Sequence, residues 1–177
     1  MANFDSAYEK VLQNEGGYST DPNDPGGETY KGISRCSWST WDGWKIVDYN
    51  KNLPGFPANL EHNTQLQEQA KQFYLLMFWS NINGNKIINQ QVACSVFDFA
   101  VNAGLKTSII LVQTVVGATQ DGIFGDNTLD LLNNSDPEHL LASFALAKIV
   151  RYIAIVKKRP VSQKYFYGWV CRTLVIE

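Results

Sequence analysis

The feature that most limits the fold is an apolar run in the middle of the chain, QQVACSVFDFAVNA, at residues 90–103. Its apolar residues fall on nearly every side of a helix, which is the pattern of a helix packed all round by others. Gly104 follows the run and ends it. The run therefore predicts a central helix in an all-α (mainly α) fold.

An amphipathic first helix is predicted at the N-terminus. Apolar residues recur there with the i, i+3, i+4, i+7, i+8 spacing of one helical face, at Phe4, Ala7, Tyr8, Val11 and Leu12. Asn3 and Ser6 are both suitable N-caps. The pair Gly16-Gly17 is predicted to stop the helix.

Further helices are predicted from the same periodicity and from end signals. Thr64 and Gln67 form a capping sequence for a run with Leu66, Ala70, Phe73 and Met77 on one face. The later helices are expected at Ile109–Val116, from an N-cap at Asp126 to Leu132, at Glu138–Lys158 and in the aromatic stretch Tyr165–Leu174.

The segment from Tyr18 to about Asn63 is rich in Pro, Gly, Asn and Asp and has no helical period. Short β-like pieces around Lys31–Ser34 and Lys45–Tyr49 predict a small hairpin at most. Loops longer than about 15 residues in a compact domain are usually functional. We therefore expect the site in this long loop after the first helix.

Composition limits the partners. The chain has 15 basic and 17 acidic side chains, and its densest basic stretch, Lys157–Arg159, is interpreted as a solvated helix end. No nucleic-acid partner is expected, since such proteins usually carry a basic patch. The N-terminus has no basic start followed by an apolar run, and no stretch approaches the roughly 18 apolar residues of a membrane span. A soluble monomer made in the cytoplasm without a signal peptide is expected.

The cysteines and histidines indicate neither a metal site nor a cofactor. Cys36, Cys94 and Cys171 are an odd number without metal-ligand spacing, and free, buried thiols are expected. His62 and His139 stand alone in polar surroundings and are expected at the surface.

Glu15 is the most unusual acid in the sequence. One more turn of the first helix's apolar face reaches it, at the helix C-terminus beside two glycines. Apolar burial and the negative end of a helix dipole both raise the pKa of a carboxyl group. Such a group suits general-acid catalysis. The alternative is a glutamate turned to the solvent edge.

The string EGGYSTDPNDPGGETYKGIS, at residues 15–34, closely resembles the signature of the glycoside hydrolase 108 muramidases of phage endolysins and bacterial secretion-associated lysozymes. The segments AKQFYLLMFW, VFDFAVNAG and DGIFGDNTLDLLN resemble later parts of that family, in its order. The resemblance implies a lysozyme-like helical bundle. It also implies a catalytic half at residues 1–89 and a peptidoglycan-binding half at 90–177, packed as one compact domain.

The resemblance implies a site as well. Glu15 takes the place of the catalytic acid and Asp24, nine residues later, that of the second carboxylate. Thr29 is the candidate to orient a water, with Tyr30 and Ser34 as rivals. The implied reaction is cofactor-free hydrolysis of the β-1,4 bond between N-acetylmuramic acid and N-acetylglucosamine in peptidoglycan glycan strands. It takes place at the cell wall after release or export.

Substrate-binding candidates follow from aromatic and polar side chains. The candidates are Tyr18, Tyr30, Ser34, Asp98 and Asn102. Trp38, Trp41 and Trp44 are further aromatic residues that could stack on sugar rings. About half of these tyrosines and tryptophans are expected in the core. Asp98 and Asn102 lie four apart on the central helix and must be hydrogen-bonded. They either anchor the Thr29–Ser34 loop or a neighbouring helix terminus, or they contact sugar.

Two other functions fit the same pattern. One is a non-catalytic wall-binding or secretion-accessory protein, against which the presence of Glu15 counts. The other is a lytic transglycosylase, which uses a single glutamate and forms an anhydro sugar. The presence of Asp24 and Thr29 favours hydrolysis.

Overall fold

A computed structural model describes residues 1–14, 16–20 and 27–174, and within them the chain is mainly α-helical, as predicted. The helices are α1 (Phe4–Asn14), α2 (Gly43–Asn50), α3 (Thr64–Tyr74), α4 (Gln90–Ala103), α5 (Leu105–Val116), α6 (Asp126–Asn134), α7 (Pro137–Lys158) and α8 (Gln163–Leu174). The strands β1 (Tyr18–Ser19), β2 (Thr29–Tyr30) and β3 (Ile33–Ser34) form one antiparallel sheet.

The chain divides into two compact units. One comprises Phe4–Ser80 and holds α1, α2, α3 and the sheet. The other comprises Met1–Asn3 with Asn81–Glu177 and holds α4 to α8. The small sheet and the long loop thus belong to the first unit, and the apolar central helix belongs to the second.

Helix α1 buries the face that its spacing predicts. Its buried side chains are Phe4, Ala7, Tyr8 and Val11. The Phe4 ring centroid lies 5.7 Å from that of Trp79, and the Tyr8 ring 5.6 Å from that of Tyr74. The amphipathic first helix is therefore confirmed, and its inner face packs on the end of α3.

Helix α3 departs from the prediction at both ends. Its N-cap is Asn63, whose side chain accepts a hydrogen bond from the Leu66 N–H, and Thr64 is the first helical residue. A π-helical turn, Leu75–Trp79, extends the helix and shifts its phase. Met77 is therefore 41% exposed, and the prediction that it shares the buried face is wrong.

The predicted small hairpin is present at β2–β3. Lys31 and Gly32 form its two-residue turn with φ of 46° and 78°, the left-handed pair that matches strand twist. The other β-like piece, Lys45–Tyr49, lies inside α2, so that prediction is wrong. Trp44 and Val47 are buried three residues apart, as on one face of a helix.

In the second unit, α4 has the predicted bounds and Gly104, with φ of 91°, ends it. Gln113 of α5 organises the next loop. Its amide donates to Asp121 Oδ1 (2.7 Å) and the Ile123 carbonyl (3.0 Å), and its oxygen accepts from the Gly122 N–H (3.0 Å). The DGIFGD segment is thus folded around one buried amide.

The start of α6 differs from the prediction. Gly125 occupies the N-cap position and Asp126 is the first helical residue, so the assignment of Asp126 as the N-cap is wrong. Helix α7 begins one residue before the predicted Glu138. Its N-cap, Asp136, accepts a hydrogen bond from the His139 N–H (2.8 Å).

Helix α7 has the length and apolar composition of a helix that crosses a membrane, and 22% of that apolar stretch is buried. The sequence interpretation missed this composition, because Lys148 and Arg151 interrupt the apolar run. Length and composition alone also describe the core helix of a soluble protein, so this finding by itself does not establish a span.

The cysteines are free, as expected, but they differ in burial. Cys94 is buried and Cys171 half-buried, whereas Cys36 is exposed, which corrects the expectation of a buried thiol there. His62 and His139 are exposed, as predicted. Among residues 1–14, 16–20 and 27–174, no group of three His, Cys, Asp or Glu side chains is placed to hold a metal ion.

We predict that Gly32→Ala lowers the free energy of unfolding by about 1–2 kcal/mol, because an alanine is strained in the left-handed region. Gly168→Ala is the matched change. Gly168 lies inside α8 and a Cβ there meets no atom within 4 Å. Alanine should stabilise that helix by about 0.5–1 kcal/mol. Urea unfolding of both variants checks the pair, and equal signs would contradict the assignment of the turn.

Candidate active site

The three-stranded sheet places hydroxyl side chains in a row. Thr29 lies opposite Ser19 on one side and opposite Ser34 on the other. Residues directly opposite one another in paired strands share a face of the sheet. Ser19, Thr29 and Ser34 therefore form one line, called here the hydroxyl row, on the face opposite to Tyr30 and Ile33.

Tyr30 belongs to the buried face of this sheet. Its side chain is fully buried, and its hydroxyl accepts a hydrogen bond from Gln67 Nε2 (2.8 Å). Burial raises the pKa of Tyr30, and the nearby charge of Glu61 raises it further. A buried ring offers no face to a sugar, so the assignment of Tyr30 to substrate binding is corrected. Its assignment as a rival to Thr29 for orienting a water is corrected for the same reason.

Tyr18 lies in β1 with its hydroxyl turned to a carboxylate. It donates a 2.8 Å hydrogen bond to Glu28 Oε1, and its ring meets Phe56 edge-on at 4.7 Å. Partial burial and the hydrogen bond to Glu28 both raise the pKa of Tyr18. The Tyr18 side chain is half-buried, so part of it remains at the surface beside the sheet.

Glu28 is the centre of an ion network that reaches α2. Its carboxylate lies 2.8 Å from Arg35 Nε and 2.6 Å from Lys51 Nζ. Arg35 also donates two hydrogen bonds to Asp48, at 2.7 and 3.1 Å, and its guanidinium lies 4.4 Å above the Trp44 ring. The Arg35 hydrogen bonds lower the pKa of Asp48.

This network assigns Glu28 to a structural role. Two cations and the Tyr18 hydroxyl occupy its carboxylate, so it ties the start of β2 to α2 and is not a free base. The sequence pattern indicated no role of its own for Glu28 within the loop. Its partners Arg35 and Lys51 lie 7 and 23 residues away, and no local pattern links them.

A second carboxylate lies beside the turn that follows α1. The Gly17 carbonyl accepts a 3.0 Å hydrogen bond from the Lys31 N–H, and a Cβ on Gly17 would lie 3.3 Å from Glu61 Oε1. The Lys31 ammonium donates to Gln67 Oε1 and lies 3.7 Å from Glu61 Oε2. Sequence reasoning did not identify Glu61, because it is far from the EGGY string.

Of the other site residues predicted for this unit, two lie in the sheet. Glu15 and Asp24 lie outside the described residues. Thr29 lies at the centre of the hydroxyl row, half-buried. The Ser34 hydroxyl accepts a 3.3 Å hydrogen bond from the Ser37 N–H, which fixes the chain as it leaves β3.

The three tryptophans of the loop divide between core and surface. Trp44 is buried, and its Nε1 donates to the Trp38 carbonyl (2.9 Å). Trp41 stacks on Tyr30 with centroids 6.3 Å apart and occupies the space where a Cβ on Gly43 would lie. Trp38 is 37% exposed, and of the three it presents the most open ring.

Asp98 and Asn102 lie in the second unit and are hydrogen-bonded, as predicted. Asp98 Oδ1 accepts from Arg172 Nε (3.1 Å) and Nη2 (2.8 Å), which links α4 to α8. Asn102 Nδ2 donates to the Tyr152 hydroxyl at 3.4 Å, which links α4 to α7. The pair therefore holds neighbouring helices of its own unit, and the charge of Asp98 is balanced by Arg172.

A buried lysine lies next to this pair. The Lys148 ammonium donates to Ser95 Oγ (2.9 Å) and lies 4.4 Å from the Phe144 ring centroid. Burial lowers the pKa of Lys148 to about 8, with the neighbouring charges of Asp98 and Arg172 acting in opposite directions. Lys148 thus fixes α7 on α4.

Comparisons with known proteins match two consecutive parts of the chain. The profile of the glycosyl hydrolase 108 family matches residues 8–104, and that of a predicted peptidoglycan domain matches residues 107–174. The solved structure of Brucella abortus SagA is similar, with a TM-score of 0.72 and 27% identity over 96% of this chain and 88% of SagA. No curated protein matches the chain.

We predict that Glu28→Gln lowers the free energy of unfolding by about 1–3 kcal/mol, because it takes one of two shared anions from the partly buried cations Arg35 and Lys51, which keep Asp48. The matched variant is Asp42→Asn, which removes an exposed ion pair with Lys45. It should leave stability unchanged, since exposed pairs contribute little. Thermal and urea unfolding check both, and equal effects would contradict the anchoring role of Glu28.

Proposed function

Because the chain belongs to the glycosyl hydrolase 108 family, we propose that it is a muramidase. It hydrolyses the β-1,4 bond between N-acetylmuramic acid and N-acetylglucosamine in peptidoglycan. The family and the peptidoglycan domain together make it a glycoside hydrolase that acts on peptidoglycan. What we propose beyond this is the bond that is cleaved and the role of each residue in cleaving it.

The observation that carries the proposal is the coincidence of the family match with the described sheet. The match at residues 8–104 includes the EGGY string and the whole hydroxyl row. The row puts hydrogen-bonding groups on the outward face, while the inward face is fixed in the core by Tyr30 and Ile33. A rigid line of hydroxyls suits a substrate built from hydroxyl-bearing rings.

Glu15 is proposed as the general acid that protonates the leaving glycosidic oxygen. The support is the spacing of α1, in which Phe4, Tyr8 and Val11 are buried. The same spacing, continued along the sequence, falls on Glu15. The family resemblance selects the same residue through the EGGY string.

Asp24 is proposed for the opposite face of the sugar ring, as the base that activates water or as the group that stabilises positive charge on the ring. Thr29 is proposed to orient that water. Its place in the middle of the hydroxyl row supports the role, because both strands beside it hold its backbone in register.

Substrate binding is proposed for Ser34, a member of the hydroxyl row, and for Trp38 as a partly exposed ring. It is also proposed for Tyr18, whose half-buried side chain lies on the other face of the sheet. In the second unit, Asn102 has an exposed side chain and Asp98 is held by Arg172. We retain both as proposed substrate contacts on α4, which lies at the end of the glycosyl hydrolase 108 match. The proposed partner is the glycan strand, and the proposed place of action is the cell wall.

We predict that Glu15→Gln lowers turnover of purified peptidoglycan by about 10²–10⁴-fold, because the amide has no proton of suitable acidity to give. Stability should hold or improve, since acids kept for function often reduce stability. Turnover and melting temperature are measured on the same preparation, which separates loss of chemistry from loss of fold.

Glu9→Gln is the matched control, because Glu9 is an exposed glutamate on the same helix. It should cleave at the parent rate. If Glu15→Gln folds normally and also cleaves at the parent rate, Glu15 is not the acid. The muramidase proposal then needs another carboxylate, for which Glu61 beside Gly17 is the next candidate.

A further inference from the structure

Helix α7 carries an apolar stripe on its solvent side. Ala142, Leu146, Val150 and Ile153 follow one another at steps of four, four and three, which places them on one face of a helix. All four are exposed, and Leu146 and Val150 are 64% and 66% exposed. We call these four residues the outer stripe.

The opposite side of α7 is already occupied by the protein. Leu140, Phe144, Lys148 and Tyr152 are buried there, and the helix packs against α4, α5 and α8. Helix α7 is therefore apolar on two sides, of which only one faces the core. A contiguous exposed apolar patch on a folded domain marks an interaction surface, so the outer stripe calls for a partner.

The charges around the stripe indicate the kind of partner. From His139 to Leu174 the sequence has no Asp or Glu, although it has the cations Lys148, Arg151, Lys157, Lys158, Arg159, Lys164 and Arg172. Lys157, Lys158 and Arg159 are exposed at the end of α7, and Lys157 continues the line of the stripe. We call these three residues the basic end.

From the outer stripe and the basic end together, we propose that α7 docks on an anionic lipid bilayer. The stripe enters the boundary between headgroups and acyl chains, and the basic end pairs with lipid phosphates. A hydrated anionic polymer would pair with the cations of the basic end, but it would leave the aliphatic side chains of the outer stripe exposed to water. A bilayer with anionic headgroups satisfies both, and this combination favours the membrane.

Helix α7 lies on the bilayer and does not span it. Spanning would expose Lys148 to lipid and break its hydrogen bond to Ser95 Oγ, and it would remove Tyr152 from Asn102. A second copy fits the stripe less well. A stable interface takes about 800 Å² from each partner, which is more than the side chains of the outer stripe supply.

The test is flotation of the full chain with vesicles. Vesicles of phosphatidylglycerol and phosphatidylcholine are compared with vesicles of phosphatidylcholine alone. The bound fraction should be on the order of tenfold higher with the anionic vesicles. It should fall as NaCl is raised from about 0.05 to about 0.5 M, because salt screens exposed charges. Equal binding to both vesicles, or binding to neither, overturns the proposal.

Two variants separate the contributions. Leu146→Ser/Val150→Ser/Ile153→Ser removes the stripe, and Lys157→Gln/Lys158→Gln/Arg159→Gln removes the basic end. Each should lower binding to anionic vesicles on the order of tenfold. The matched control is Ile88→Ser/Ile123→Ser, which changes two equally exposed apolar residues of the same unit and should bind as the parent does. A control that loses binding to the same extent overturns the assignment.

Two further measurements on the same proteins test the alternative partners of the outer stripe and the basic end, a second copy of the chain and peptidoglycan. Light scattering detects a dimer that the serine variant abolishes, and sedimentation with purified peptidoglycan detects loss of wall binding. Either result without vesicle binding overturns the membrane proposal. The vesicles contain no peptidoglycan, so their result is independent of the muramidase activity. Circular dichroism melting checks that each variant is folded.

Discussion

Burial of Tyr30 is the constraint on which the rest of the site depends. Side chains alternate between the two faces of a strand, so a fixed Tyr30 also fixes the direction of Thr29. Gln67 holds the Tyr30 hydroxyl at 2.8 Å, and Ile33 is buried on the same face of the sheet. A shift of one residue in register would bury the hydroxyl groups and expose the side chains of Tyr30 and Ile33. Because that shift is unfavourable in free energy, the hydroxyl row stays on the outward face.

The ends of the sheet are held by charge rather than by apolar packing. Glu28, at the entry to β2, pairs with Arg35 and Lys51 and accepts from Tyr18. Arg35 in turn pairs with Asp48 of α2. Because two-residue strands have few hydrogen bonds of their own, these side-chain ties and the Lys31–Gly32 turn supply much of what keeps the sheet in place.

Helical periodicity predicted most of the helices, because most of them bury apolar residues at the expected spacing. The bounds of α4 and the inner face of α1 are examples. The prediction was wrong where a local feature changed the phase, as at the π-helical turn that exposes Met77. It was also wrong where a short β-like piece, Lys45–Tyr49, lies inside α2. Glu61 and the partners of Glu28 were beyond sequence reasoning, because only the folded chain brings them to the sheet. Glu15 and Asp24 remain predictions from sequence spacing and family resemblance.

The measurement that tests the central claim most directly is mass spectrometry of the soluble fragments released from purified peptidoglycan. A muramidase releases fragments that end in a reducing N-acetylmuramic acid, and this is the result we predict. Fragments that end in anhydro-muramic acid would instead identify a lytic transglycosylase. The absence of fragments, from a protein that still binds peptidoglycan, would identify a binding protein without catalysis and would contradict the account.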